Sequence, residues 1–278
     1  MKHIEVVNQN QHLQGFTLGN GHMYWSFTDS IVMTTTEGTV RRQNLIFGGH
    51  LGDIEYYDGK VYGSYLKNSL PGHAWEDWTG FMIYVFDAND LSVIDVINLD
   101  ICDEYKRISC LPEDTRGFQG IDGVTFAPDP VSGEIRMFVA CALYSEERFS
   151  NQIILSFAPN GEFKGEYHIP TGNTVYGIQN LNYDWDSGDF WFTTYGSSHT
   201  FSPRETLFRV SLDGSIKAKY AFSTPYGFFC LGGNRFLCSL QGGVNGKRFG
   251  TAYECDESFF GVSKSEEEIS EYIAGFLD

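Results

Sequence analysis

The sequence predicts an all-β fold, a five-bladed β-propeller of four-stranded antiparallel blades occupying residues 1–278 as one domain. Three features carry that expectation. A hairpin signature recurs five times, a second hairpin follows the first four copies, and aromatic residues make up 16% of the chain, the composition that suits half-buried strands.

The recurring hairpins read LQGFTLGNGHMYWSF from Leu13, LGDIEYYDGKVYGSY from Leu51, IDGVTFAPDPVSGEIRMFVA from Ile121, IQNLNYDWDSGDFWFTTY from Ile178 and YGFFCLGGNRFLCSL from Tyr226. Each opens on an apolar run, turns at a Gly-bearing pair and closes on an aromatic-rich strand. The turn pairs are Asn20-Gly21, Asp58-Gly59, Ser132-Gly133, Ser187-Gly188 and Gly233-Asn234, residues that tolerate the left-handed backbone of tight hairpin turns. Second hairpins start at Ile31, Phe81, Gln152 and Thr206, so each of these units is a four-stranded meander, the blade of a propeller. The spacing of about 40 to 70 residues fits blades with insertions better than solenoid coils.

The fifth copy has a third strand near Arg248 to Glu254 but no fourth of its own. The run HIEVVN from His3 is expected to supply it, closing the ring and removing a sheet edge. The tail SEEEISEYIAGFLD reads as a helix over about 265–277. Ser265 and Glu268 form a capping box, and Ile269, Tyr272, Ile273, Phe276 and Leu277 share one face, expected to pack on the propeller wall.

Acidic residues outnumber basic ones 36 to 19, giving a formal charge of −17. Such a field repels phosphate backbones and anionic membrane surfaces, so neither nucleic acid nor membrane is expected as a partner. No apolar run is long enough to span a bilayer, and the start MKHIEVVNQNQ lacks the apolar core of a secretory signal; a cytoplasmic monomer is expected. The six cysteines form no CxxC pair and sit mostly in apolar runs, which reads as buried thiols. Cys230 with Cys238, across adjacent strands, and Cys102 with Cys110, flanking one loop, are the pairs able to bridge in an oxidising compartment.

Hairpin turns fall on one face of a propeller, and the connections between hairpins and between blades on the other. Here the turns are short, whereas the segments from Leu66, Asp100, Tyr144 and Tyr195 are long and chemically rich. Long connections in a compact domain commonly carry function, so the binding face is expected there. The starts of the inner strands should ring a central pocket on that face: Gln14, His50, Asp53, Asp122, Gln179, Asn180 and Tyr226. Polar groups at strand positions that would accept apolar ones need partners. Gln14, Asp53, Asp122 and Gln179 could hold a hard cation such as Ca²⁺ through oxygen, or bind ordered water. Around the ring, Trp75, Trp78, Tyr144, Arg148, Tyr176, Tyr195 and His199 offer apolar faces and hydrogen-bonding edges to a small molecule or carbohydrate. The seven histidines show no HExxH spacing, and neither a GxSxG elbow nor a GxxxxGK loop occurs.

LQGFTLGNGHMYWSF and GDIEYYDGKVYGS resemble blades of the five-bladed glutaminyl cyclotransferases, with Asp53 where that motif carries Glu. IDGVTFAPDPVSG is similar to a blade of the gluconolactonase and strictosidine-synthase-like propellers, a resemblance that implies a metal-ligand role for Asp122 alone. The whole chain is similar to a bacterial five-bladed propeller group.

Two functions follow as expectations. One is a metal-assisted hydrolase in which the cation polarises a carbonyl or activates water, with Asp53 and Asp122 at the centre and His50 as proton acceptor. The other is a binding module without chemistry that takes a carbohydrate or peptide through Trp75 and Trp78. A glycosidase would need two carboxylates facing each other across a cleft, for which Asp53 and Asp122 are the candidates. Whether the chain is an enzyme is left open by its residues.

Overall fold

A computed structural model describes residues 3–8, 11–67, 80–105, 118–143, 151–172, 174, 176–195, 206–239, 242–244 and 247–261. Five antiparallel sheets stand around one axis. Blade one is β2 (Leu13–Gly19), β3 (His22–Phe27), β4 (Ser30–Thr35) and β5 (Val40–Leu45). Blade two is β6 (Gly49–Tyr57), β7 (Lys60–Lys67), β8 (Gly80–Asp87) and β9 (Val93–Asn98). Blade three is β10 (Phe118–Pro128), β11 (Ile135–Leu143), β12 (Gln152–Phe157) and β13 (Phe163–Ile169). Blade four is β14 (Ile178–Asp184), β15 (Asp189–Thr194), β16 (Leu207–Val210) and β17 (Ile216–Tyr220).

The fifth blade joins the two ends of the chain. Its order runs β18 (Phe228–Gly232), β19 (Arg235–Cys238), β21 (Lys247–Asp256) and β1 (His3–Asn8), with the short β20 (Gly242–Val244) also paired to β21. The register from His3↔Tyr253 to Asn8↔Arg248 is the closure expected of HIEVVN. An edge that would otherwise template association is thereby paired.

Local chemistry explains the hairpins. Asn20 and Gly21, Asp58 and Gly59, and Gly233 and Asn234 all have positive φ, the paired left-handed conformation whose twist matches that of the flanking strands. The two Ser-Gly turns use a carboxylate instead. Asp129 accepts from the backbone of Val131 and Ser132 and pairs with Arg136 at 2.7 Å, while Asp184 accepts from Asp186 N and Ser187 Oγ.

Outer strands are solvated; β5 (VRRQNL) and β9 (VIDVIN) are exposed along most of their length. The inner strands are buried, and the core divides into one apolar cluster per blade interface. Met33, Ile54 and Phe86 join blades one and two; Tyr62, Val124 and Met137 join two and three; Phe138, Leu181 and Phe192 join three and four. Trp191, Phe228 and Phe236 join four and five, and Leu237, Phe16 and Trp25 join five and one. Face-to-face packing of twisted sheets around a ring is what these aromatic strands make possible.

After β21 a single helical turn, Glu257–Phe260, is capped by Asp256 and sinks Phe260 among Trp191, Phe228 and Phe236. The helix expected over 265–277 lies outside the described residues. Cys102, Cys141, Cys230, Cys238 and Cys255 are free thiols, and Cys110 is outside the described residues. The expected Cys230–Cys238 proximity is corrected by the register: Cys230 lies opposite Phe236, and Cys238 opposite Phe228. The neighbour of Cys238 is Cys255 of β21, with the two sulfurs 3.3 Å apart. Among the described residues no helix is long and apolar enough to cross a membrane.

Candidate functional site

Inner strands β2, β6, β10 and β14 each slip register near their start, between Leu13 and Gly15, Leu51 and Ile54, Ile121 and Val124, and Ile178 and Asn180. A bulge at this point leaves one or two residues unpaired and re-aims their side chains. The residues inside the slips are Gln14, Gly52-Asp53, Asp122-Gly123 and Gln179. The repeated motif of an aliphatic residue, then a polar or small pair, is therefore the local signal for a bulge that turns polar side chains toward the axis. In the fifth blade the slip sits lower, between Cys230 and Gly232.

Below the mouth, Asp53 ties the ring together. Its Oδ1 accepts from Asn180 Nδ2 at 3.1 Å, and its Oδ2 accepts from Val124 N at 3.2 Å and Leu181 N at 3.0 Å. Asn180 Nδ2 also donates to the Gln14 carbonyl at 2.8 Å, and Asp53 N donates to Asp122 Oδ1 at 3.1 Å. One buried carboxylate and its amide neighbour thus connect blades one to four, and Asn182 Nδ2 extends the stitching to the fifth through the Phe228 carbonyl. Close approach requires glycine at two places. A Cβ on Gly15 would stand 2.3 Å from Asp53 Oδ1, and one on Gly52 would stand 2.4 Å from Asp122 Oδ1.

Above this layer opens a cavity of about 190 Å³. It lies where the inner strands begin and the second strands end, the face from which the long connections depart. Gln14, His50, Asp122, Tyr176, Gln179 and Tyr195 line it, together with His12, Leu66, Ile121 and Ala142. Tyr226 stands behind, its ring edge-on to both His12 and Tyr195 at 5.8 Å. Asn180 and Asp53 lie in the layer beneath rather than in the lining. Trp75, Trp78, Tyr144, Arg148 and His199 lie outside the described residues.

His12 was legible in principle, standing two residues before Gln14 at the mouth of β2. Leu66, Ile121 and Ala142 carried no signal beyond apolarity, because strand residues that face a cavity look like residues that face a core.

The polar lining is held in place. Gln14 Nε2 donates to Thr28 Oγ1 at 2.9 Å and lies 2.8 Å from His12 Nε2, while Gln179 Nε2 donates to the Tyr176 carbonyl at 3.3 Å. Tyr176 itself has φ 62°, followed by Gly177 at 70°, a left-handed pair that turns the chain into β14.

Enclosure displaces the titration of the groups around the cavity. Burial pushes Asp122 up to about 8, against the pull of the Asp53 N–H, so its carboxyl is largely protonated at neutral pH. His50 is lowered to about 4 by burial and then by the nearby His12, so its imidazole is neutral. Burial also raises Tyr195, with Tyr226, Asp122 and Tyr176 adding to the effect. Deeper along β6, burial raises Asp53 well above the carboxylate range, opposed by the Leu181, Val124 and Asn180 donors and reinforced by Asp122. Glu55 follows, raised by burial and then by Asp53.

The donor set fits a divalent cation poorly. Asp53, one of the two carboxylates in the expected ligand set, has both oxygens engaged by N–H donors, and among the described residues no three His, Cys, Asp or Glu converge as metal ligands. What the arrangement can do is present one protonated carboxyl, one neutral imidazole and a pair of tyrosine rings to a small guest.

No protein-family model and no curated protein matches the chain. Solved structures do. An exo-β-1,3-galactanase from Phanerochaete chrysosporium, solved with galactose, is 12% identical, with 91% of this chain and 62% of that one covered at a TM-score of 0.55. Regucalcin from Agrobacterium tumefaciens, a calcium-binding protein, is 13% identical, with 91% and 79% covered and a TM-score of 0.46. A protein of unknown function from Bacteroides caccae is 13% identical, with 76% and 61% covered and a TM-score of 0.42. The chain spans 61% of the length of the Bacteroides protein and 62% of the galactanase. At 12% identity the likeness to the galactanase is one of fold alone.

Proposed function

We propose that the chain is a small-ligand-binding propeller whose axial cavity takes one compact organic molecule. The observation that carries this reading is the meeting of a buried Asp122 and a partly buried His50, both with displaced protonation, around a cavity that also presents tyrosine rings. Buried polar groups cost free energy unless matched, and perturbed groups in a cleft favour a functional site over mere ring geometry. The volume of about 190 Å³ is below the usual range for drug-sized ligands, which begins at about 300 Å³, so the guest is compact. In the pocket Asp122 donates a hydrogen bond while protonated, His50 accepts or donates through a neutral ring, and Leu66, Ile121 and Ala142 cover apolar surface.

Catalysis would use the same two groups as proton donor and acceptor, without a step through a metal. A glycosidase mechanism is less favoured, since Asp122 is the one carboxylate among the described lining residues.

The test is thermal denaturation against a panel containing galactose, short polyols, alkylammonium salts, calcium and manganese. Binding in the cavity gives a stabilisation with at least one organic member that disappears in Ala142→Leu, which adds bulk at an apolar lining position. A shift that survives Ala142→Leu would put the site elsewhere and end the proposal, as would a panel in which only the metals act.

A further inference from the structure

The lining itself discriminates among ligand classes. Two of its aromatic walls, Tyr176 and Tyr195, stand nearly perpendicular, 80° apart with centroids at 6.0 Å, and Tyr226 backs the second at 68° and 5.8 Å. Both Tyr176 and Tyr195 belong to the lining, and the face of a tyrosine ring attracts a cation placed within about 6 Å of its centroid. A group able to become the opposite charge is at hand, because Asp122 is nine-tenths buried and belongs to the lining. Its Oδ1 takes the Asp53 N–H, and no ion pair engages it among the described residues. The described lining contains neither Lys nor Arg.

An anion is disfavoured by the same features, by the −17 net charge and by a neutral His50. A strongly hydrated cation is disfavoured by the apolar side of the cavity, made by Leu66, Ile121 and Ala142, and by the engaged oxygens of Asp53. N-methyl groups, in contrast, suit aliphatic walls and tyrosine faces alike.

We propose that the ligand is an organic cation with an alkylated ammonium head, seated against Tyr176 and Tyr195 and neutralised by the Asp122 carboxylate. This rests on the axial cavity being the ligand site. Binding the cation requires Asp122 in its charged form, so a proton leaves as the ligand enters. The groups facing Asp122 are His12 before β2, His50 and Asp53 on β6, Tyr176 before β14 and Tyr195 after β15. Of these, His50 stays neutral throughout pH 7 to 9. With Asp122 titrating at about 8, the competent fraction rises roughly tenfold over that interval, and the affinity with it.

Isothermal titration of the whole chain with choline, tetramethylammonium, 3,3-dimethylbutan-1-ol and galactose tests this. The alcohol is the uncharged isostere of choline. Expected are saturable choline and tetramethylammonium binding, at least tenfold weaker binding of the alcohol, and a roughly tenfold gain in choline affinity from pH 7 to pH 9. Asp122→Asn, which keeps an acceptor for the Asp53 N–H, should cost choline at least tenfold and leave the alcohol unchanged. Tyr195→Phe should retain binding and Tyr195→Leu should lose it, separating the ring from its hydroxyl. Equal affinity for choline and its isostere, or an unaffected Asp122→Asn, overturns the cation and leaves the cavity as a site for neutral guests. Galactose binding without choline has the same meaning. If none of the four compounds binds and the panel above is also silent, both readings fall.

Discussion

Removing the Asp53 carboxylate should loosen the whole ring, since four blades meet through it. In Asp53→Ala the buried amides of Val124 and Leu181 lose their acceptor, and Asn180 keeps only its bond to the Gln14 carbonyl. Each orphaned buried donor costs about 1–3 kcal/mol, so two of them with a partial loss at Asn180 give about 3–6 kcal/mol. Relief from burying a carboxylate offsets part of this, leaving a net loss of about 3 kcal/mol. Against a typical stability of about 5–15 kcal/mol that is a large fraction. Asp53→Asn can still offer one oxygen to Val124 and Leu181 while the Asn180 amide reorients, so its loss should be about 1–2 kcal/mol. Urea unfolding followed by the fluorescence of Trp25 and Trp191, both buried at interfaces of the fifth blade, measures the two losses. Amide exchange at Val124 and Leu181 reports whether the clasp opens locally. An Asp53→Ala loss under about 1 kcal/mol, with unchanged exchange at both amides, would refute the clasp.

Two further outcomes follow from the same axis. Asp122 has a folded pKa raised to about 8 from about 4 in the unfolded chain, so the native state holds a proton that the unfolded state releases. The wild type should lose stability relative to Asp122→Asn as pH rises from 4 to 8, by at most roughly 5 kcal/mol at 1.36 kcal/mol per unit; parallel urea profiles at pH 5, 6.5 and 8 would contradict it. Deleting His3–Asn8 strips the six-residue ladder from β21 and should cost about 3–9 kcal/mol for about six hydrogen bonds at about 0.5–1.5 kcal/mol each, with dimers appearing in light scattering through the bared edge; a deletion variant as stable and monomeric as the parent would show that closure contributes nothing.

The hairpin grammar made the blades legible. Turn pairs such as Asn20-Gly21 and Asp58-Gly59 need left-handed backbone, and alternating aromatic strands need two faces to bury, so both are local statements that a sequence can make. The pairing of HIEVVN with the last blade was legible for a related reason, because a three-stranded remnant lacks its outer partner. Gln14, His50, Asp122 and Gln179, which line the cavity, stand at the starts of inner strands, and Tyr176 and Tyr195 stand in the connections beside them. Asp53 could not be separated from them in sequence. It is the next residue along the same bulge, and only the meeting of four strands reveals that its oxygens are already engaged.

By itself, then, the chain determined the period, the turns and the pairing of its first strand with the last blade, since the turns depend on neighbours within a few residues and the pairing on a blade one strand short. The tertiary structure alone decided which carboxylate faces the cavity and which is consumed as a clasp, which thiol lies beside Cys238, and how far burial displaces Asp122 and His50. Those depend on distances between residues far apart in the chain and on how much water reaches them, and desolvation is a property of the enclosing structure rather than of any residue's own neighbourhood.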